Sequence, residues 1–107
     1  MNDGVRSELM GLTRLRIKVY GVVQGVGFRS FVKRIADELN INGYVMNKED
    51  GSVEILAEGE KKNIDVFLDY VSKGPPGSVV ENVIIEYEEP KGNLKGFRIR
   101  YASWDFW

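Results

Sequence analysis

From Thr13 onward the chain alternates, with apolar Leu15, Ile17 and Val19 set between Arg14, Arg16, Lys18 and Tyr20. A period of two places successive side chains on opposite faces, so this run predicts a strand buried on one side. The pattern breaks in the glycine-punctuated stretch Gly21-Val22-Val23-Gln24-Gly25-Val26-Gly27. Beyond it Phe28, Phe31, Val32, Ile35, Ala36 and Leu39 recur at spacings of three and four, one apolar stripe on a helix that ends near residues 40–43. Residues 44–47 and 52–58 read as two strands about the turn Lys48-Glu49-Asp50-Gly51, whose Asp-Gly end signals a hairpin. In the second of them Val53, Ile55 and Ala57 alternate with Glu54, Leu56 and Glu58. Ile64, Phe67, Leu68 and Val71 mark a second helix, stopped by Gly74 with Pro75 and Pro76 behind it. A fourth strand is expected over residues 83–87, with Val83, Ile85 and Tyr87 on one face. After the turn at 90–93, Phe97, Ile99 and Tyr101 mark a short last strand.

The order β-α-β-β-α-β plus a short strand predicts a ferredoxin-like α+β sandwich, a mixed, mainly antiparallel sheet with two helices on one face. Right-handed crossovers make the first and second strands parallel and place the third between them. The glycine loop, the turn after Asn47 and residues 73–77 then fall at the same end of the sheet. Asn47 lies two residues after Val45 and shares its face, so with Val45 toward the helices Asn47 looks at the N-terminus of the first helix. Residues 1–12 carry two glycines and scattered charge without a period, which suggests a flexible arm before a domain spanning 13–101. Residues 102–107, Ala-Ser-Trp-Asp-Phe-Trp, form an aromatic tail. The tail is expected to fold back over exposed sheet rather than meet another chain, which makes the protein a monomer.

Composition narrows the chemistry. A chain of 107 residues makes one domain, and 15 Lys+Arg against 16 Asp+Glu leave a formal charge of −1. No global field draws it to nucleic acid or an anionic membrane, so neither is an expected partner. With no Cys and no His, thiol nucleophiles, serine-type triads and most metallohydrolases drop out. No metal and no cofactor are expected. No apolar run approaches the ~20 residues of a membrane-spanning helix, and acids stand at the N-terminus where a signal peptide would be basic and then apolar. Those features place the protein in the cytoplasm.

The glycine loop is the first candidate site. Unpaired backbone N–H groups at a helix N-terminus, aided by the helix dipole, hold anions, and Gly25 and Gly27 allow the positive φ angles that fold such amides into a concave nest. Arg29, on the first helical turn, adds a planar guanidinium able to grip an oxyanion with two donors. A plain tight turn followed by a surface arginine fits the same spacing. A dinucleotide fingerprint does not, because Ser30 stands where its third glycine belongs; nor does a nucleotide P-loop, because there is no Gly-Lys-Ser/Thr. Asn47 reads either as turn chemistry or, facing the nest, as a group that holds a water without titrating. Glu49 and Asp50, the acids expected nearby, read as solvated turn residues.

At these residues the sequence resembles the acylphosphatase family. Gly21-Val22-Val23-Gln24-Gly25-Val26-Gly27-Phe28-Arg29 is similar to that family's phosphate-loop signature, and Gly43-Tyr44-Val45-Met46-Asn47, with Gly51, Val53 and Gly59 after it, to its second signature. Lys73-Gly74-Pro75-Pro76 and Lys95-Gly96-Phe97-Arg98-Ile99 resemble further family segments, so the likeness spans roughly residues 15–101. The resemblance implies metal-independent hydrolysis of small acyl phosphates to a carboxylate and inorganic phosphate. It also implies that Gln24, Gly25, Val26, Gly27, Phe28 and Arg29 bind the phosphoryl group, and that Arg29 and Asn47 are catalytic, Asn47 orienting the water. Departures are the charged Lys48-Glu49 pair and the tail. Three rival readings share the fold. One is an RNA-binding module, disfavoured because strands one and three are expected to expose Arg16, Lys18, Glu54 and Glu58 where base-stacking aromatics are needed. The second is a regulatory small-ligand domain. The third is the acylphosphatase-like module of a larger carbamoyl-transfer protein, which the chain is expected to lack the length to be.

Overall fold

The computed structural model describes residues 11–105. Most of the expected N-terminal arm, residues 1–10, and the tail residues 106–107 lie outside the described part. The elements run β1 (Leu12–Val22), α1 (Phe28–Glu38), β2 (Asn42–Asn47), β3 (Val53–Glu60), α2 (Lys61–Lys73), β4 (Val79–Glu88) and β5 (Phe97–Arg100). They form one sheet in the order β4-β1-β3-β2-β5. β3 lies between β1 and β2 and is antiparallel to both, as the crossover rule requires, and β5 adds to β2 in parallel. Ile55 sits opposite Ile17 on one side and Val45 on the other. That row continues into the core against both helices, where Phe28, Val32, Ile64, Phe67 and Val71 are buried. Phe67 meets Phe97 edge-on at 6.2 Å, which ties α2 to the last strand.

Several strand ends differ from the side-chain pattern, because backbone pairing and not apolar alternation sets them: β1 runs on to Val22, β2 starts at Asn42 and β3 ends at Glu60. β4 pairs with β1 from Glu88 back to Val79, well beyond the expected segment, and leaves Val79, Ile84, Ile85 and Tyr87 exposed at the sheet edge. β5 stops at Arg100, the partner of Met46. Tyr101 therefore leaves the sheet at the same end where β2 delivers Asn47.

On the face away from the helices the alternation misleads. Arg14 and Glu58, expected in solvent, are 6% and 1% exposed. The connection from β4 must cross from one edge of the sheet to the other to start β5, and it passes over this pair. Glu58 accepts hydrogen bonds from Arg14 Nε at 2.8 Å and from the backbone N–H groups of Lys91 and Gly92 at 3.0 Å, while Arg14 Nη2 donates to Asn93 at 2.9 Å. The Gly96 N–H donates to Asn42 Oδ1 and the Gly43 N–H to the Gly96 carbonyl, and these bonds start β5 beside β2. Higher on this face Arg16 donates to Glu88 at 2.6 Å and to the Tyr44 hydroxyl, which in turn donates to Glu54. These contacts raise the Arg16 pKa above its ordinary value, chiefly through Glu88, and hold the Glu88 carboxyl below its own. Tyr44, with Arg100 stacked 4.7 Å from its ring, is thus committed to charge pairing and not free as a stacking platform.

Glu58→Ala leaves the Arg14 guanidinium buried without its counter-charge and should cost about 3–5 kcal/mol. Urea denaturation of this variant beside the double replacement Arg14→Met/Glu58→Leu checks the cause, since the apolar pair should be more stable than the single variant.

Candidate active site

Gly25 (φ 74°) and Gly27 (φ 75°, ψ 20°) both adopt the left-handed conformation, which turns the chain sharply into α1. Gly27 is the N-cap, and α1 has neither a side-chain cap nor an acid in its first turn. Its leading amides and positive dipole end are thus left facing outward. The loop is pinned on two sides. Val23 and Phe28 are buried beneath it, and Val26 packs partly on the same core. The Gln24 side chain donates to the backbone carbonyls of Lys48 and Ser52 at 2.8 and 2.9 Å, binding the loop to the β2–β3 turn. That turn is shaped by Asp50, whose carboxylate accepts from the Ser52 hydroxyl and backbone N–H, and these bonds hold its pKa below the ordinary range. Glu49 and Asp50 remain exposed.

Arg29 and Asn47 are brought together. They are 8% and 2% exposed and, with Val23, Gly25, Gly27, Phe28, Ser30 and Tyr101, line a cavity of about 350 Å³. The arginine is therefore not a surface residue behind a plain turn. The Tyr101 ring lies 4.7 Å from its guanidinium carbon. Asn47 Oδ1 is buried and has no hydrogen-bond partner among the described residues, an acceptor left over on a residue that lines the cavity. Ser30 and Tyr101 are lining residues that sequence patterning did not single out.

One residue was missed outright. Asp105, whose side chain is fully buried, accepts a hydrogen bond from Arg29 Nη1 through Oδ2, and its Oδ1 lies 3.4 Å from Asn47 Nδ2. A turn closed by the Asp105 N–H on the Ala102 carbonyl at 3.0 Å holds it there. The expectation of no acid beyond Glu49 and Asp50 near the loop is corrected here; of the tail, residues 102–105 turn onto the rim beside Arg29, and Phe106 and Trp107 lie outside the described residues. The available signal was topological. A strand added in parallel to β2 must finish at the rim where Asn47 sits, so the residues after Tyr101 start beside the glycine loop.

The fold is an α+β sandwich of the ferredoxin-like kind, and its candidate site gathers the uncapped start of α1, a buried guanidinium and an amide side chain. The acylphosphatase family model matches residues 15–99. An acylphosphatase of Thermotoga petrophila is 52% identical over 87 residues, covering 81% of this chain and 96% of that protein. Among solved structures, the acylphosphatase of Bacillus subtilis superposes with a TM-score of 0.81 at 40% identity, covering 83% of this chain and 99% of that one. Full-length HypF, in a phosphate- and nucleotide-bound form, matches with a TM-score of 0.77 at 37% identity over 83% of this chain but 12% of its own. The chain belongs to the acylphosphatase family.

Gln24→Ala removes both bonds between loop and turn. Stability should fall by about 1–2 kcal/mol, the scale of losing two hydrogen bonds whose acceptors keep other partners, and inorganic phosphate should bind several-fold more weakly. Thermal denaturation and isothermal titration with phosphate measure the two effects.

Proposed function

We propose that this protein hydrolyses small acyl phosphates, with Arg29 and the amides of residues 24–29 holding the phosphoryl group and Asn47 holding the water. The observation that carries the assignment of roles is the convergence of a buried guanidinium and an unpaired amide oxygen on the uncapped end of α1. Three phosphoryl oxygens need donors in a concave arrangement, which left-handed glycines and a planar guanidinium provide. The water needs an acceptor that neither titrates nor competes for phosphate, which Asn47 Oδ1 provides.

In the reaction the water oxygen bonds to phosphorus while the bond from phosphorus to the carboxyl oxygen breaks, and a carboxylate departs. Such a leaving group requires no protonation, and a loose transition state depends mostly on positioning and charge stabilisation. That fits a chain without His or Cys. The water's proton goes to an oxygen of the phosphoryl group itself, since Arg29, Asn47 and the loop amides include no general base and the Asp105 carboxylate is engaged by Arg29. The cavity exceeds what one phosphoryl group fills, which leaves room for the acyl part beside Val23, Phe28 and Tyr101. The protein acts as a cytoplasmic monomer on this reading, and the open sheet face, occupied by the Arg16, Tyr44, Glu54 and Glu88 network, argues against a nucleic-acid partner.

Arg29→Lys replaces a fork by a point charge and should remove at least about 2 kcal/mol of transition-state stabilisation, read as kcat/KM on benzoyl phosphate. Asn47→Ala should instead lose kcat while inorganic phosphate still inhibits. If it loses phosphate affinity as badly as Arg29→Ala, the water-holding role is wrong. Turnover should survive exhaustive dialysis against EDTA, and a loss restored by Mg²⁺ or Zn²⁺ would overturn the mechanism.

A further inference from the structure

Asp105 presents a carboxylate to the two side chains that the reaction is proposed to use. It pairs with Arg29 and lies beside the Asn47 amide, with its own side chain fully buried. We propose that Asp105 is a built-in competitor for the phosphoryl subsite, and that the segment from Ala102 to Asp105 is a strap the substrate must displace. The inference rests on the assignment of phosphate to Arg29.

Charge makes the two occupants exclusive. A phosphoryl group seated on Arg29 brings negative oxygens to the guanidinium that Asp105 already faces, and in a site this buried like charges at hydrogen-bond distance from one cation repel strongly. The anchoring is also suited to release. The sheet is complete at Arg100, and the residues joining it to Asp105 are the exposed Tyr101 and Ser103 and the half-buried Ala102 and Trp104. Among the described residues, opening the strap breaks the Arg29 pair, the contact with Asn47 and a single turn without disturbing a strand. Tyr101, at the strap's root, stacks on the guanidinium and can stay there in either state, which keeps Arg29 oriented when its counter-charge leaves.

The cost of such a strap falls on affinity. Apparent binding is weakened by the fraction of molecules that are open, so a strap closed in roughly nine molecules of ten weakens phosphate roughly ten-fold. Removing the charge lifts that penalty.

The test compares the whole chain with Asp105→Asn, which keeps the shape, and Asp105→Ala. Both should lower KM for benzoyl phosphate and the inhibition constant of inorganic phosphate by the same factor, at least roughly five-fold, with kcat no lower. An independent signal comes from fluorescence, because both tryptophans, at 104 and 107, belong to the tail. Saturating phosphate should shift the emission of the unmodified chain to that of Asp105→Ala without phosphate. Unchanged or raised constants would overturn the strap, as would a fall in kcat at constant phosphate affinity, which would make Asp105 a residue that positions Arg29. Phosphate binding equally to all three proteins sinks the strap alone, whereas no phosphate binding and no turnover in any of them sinks the site assignment with it.

Discussion

A guanidinium buried at the positive end of a helix is the constraint around which this molecule is arranged. Arg29 is 8% exposed on the first turn of a helix that lacks any side-chain cap, so two sources of positive potential add where water is scarce. An anion must meet them. In the structure that anion is the Asp105 carboxylate; in the proposed reaction it is the phosphoryl group. On the proposed reading, affinity for oxyanions comes from this local electrostatic demand in a protein whose overall charge is −1, and it needs no basic surface.

Meeting that demand takes parts from distant segments, and the sheet brings them together. β1 ends in the loop, β2 ends in Asn47, and β5, parallel to β2, ends below Tyr101 and the strap. The last of these placements is settled at the far end of the sheet. Glu58, held by Arg14 and by the amides of Lys91 and Gly92, clamps the long crossing from β4 to β5. The Asn42–Gly96 contact then sets the register in which β5 climbs toward the rim. A buried ion pair is a weak source of net stability, but here it fixes where a chain segment goes.

The division of labour proposed at the site follows from what each group can offer. Backbone amides and Arg29 supply donors only, so they bind oxyanions and cannot hold a nucleophile by its protons. Among the described residues lining the cavity, Asn47 brings a buried, unpaired side-chain acceptor without charge. The acids of the β2–β3 turn stay in solvent, Asp50 with its carboxylate spent on Ser52. That leaves Asp105, paired with Arg29, as the negative charge against the cavity's lining among the described residues.

Most of the frame was legible along the chain because it depends on local or periodic properties. The alternation of Leu15, Ile17 and Val19, the helical stripe from Phe28, and the glycines at 25 and 27 each report on their own neighbourhood, and the handedness of crossovers assembles them with little freedom. Even the approach of Asn47 to the α1 terminus followed from counting two residues on from Val45. What only the tertiary structure decided concerns side chains whose surroundings come from far away in sequence. Glu58 and Asp105 look like ordinary solvent-facing acids by pattern. One is buried because a crossing loop covers it and the other because a tail folds onto Arg29. Periodicity records which face of an element a residue occupies; it carries no information about which segment later covers that face, and a charge becomes buried or functional only when that cover brings its partner.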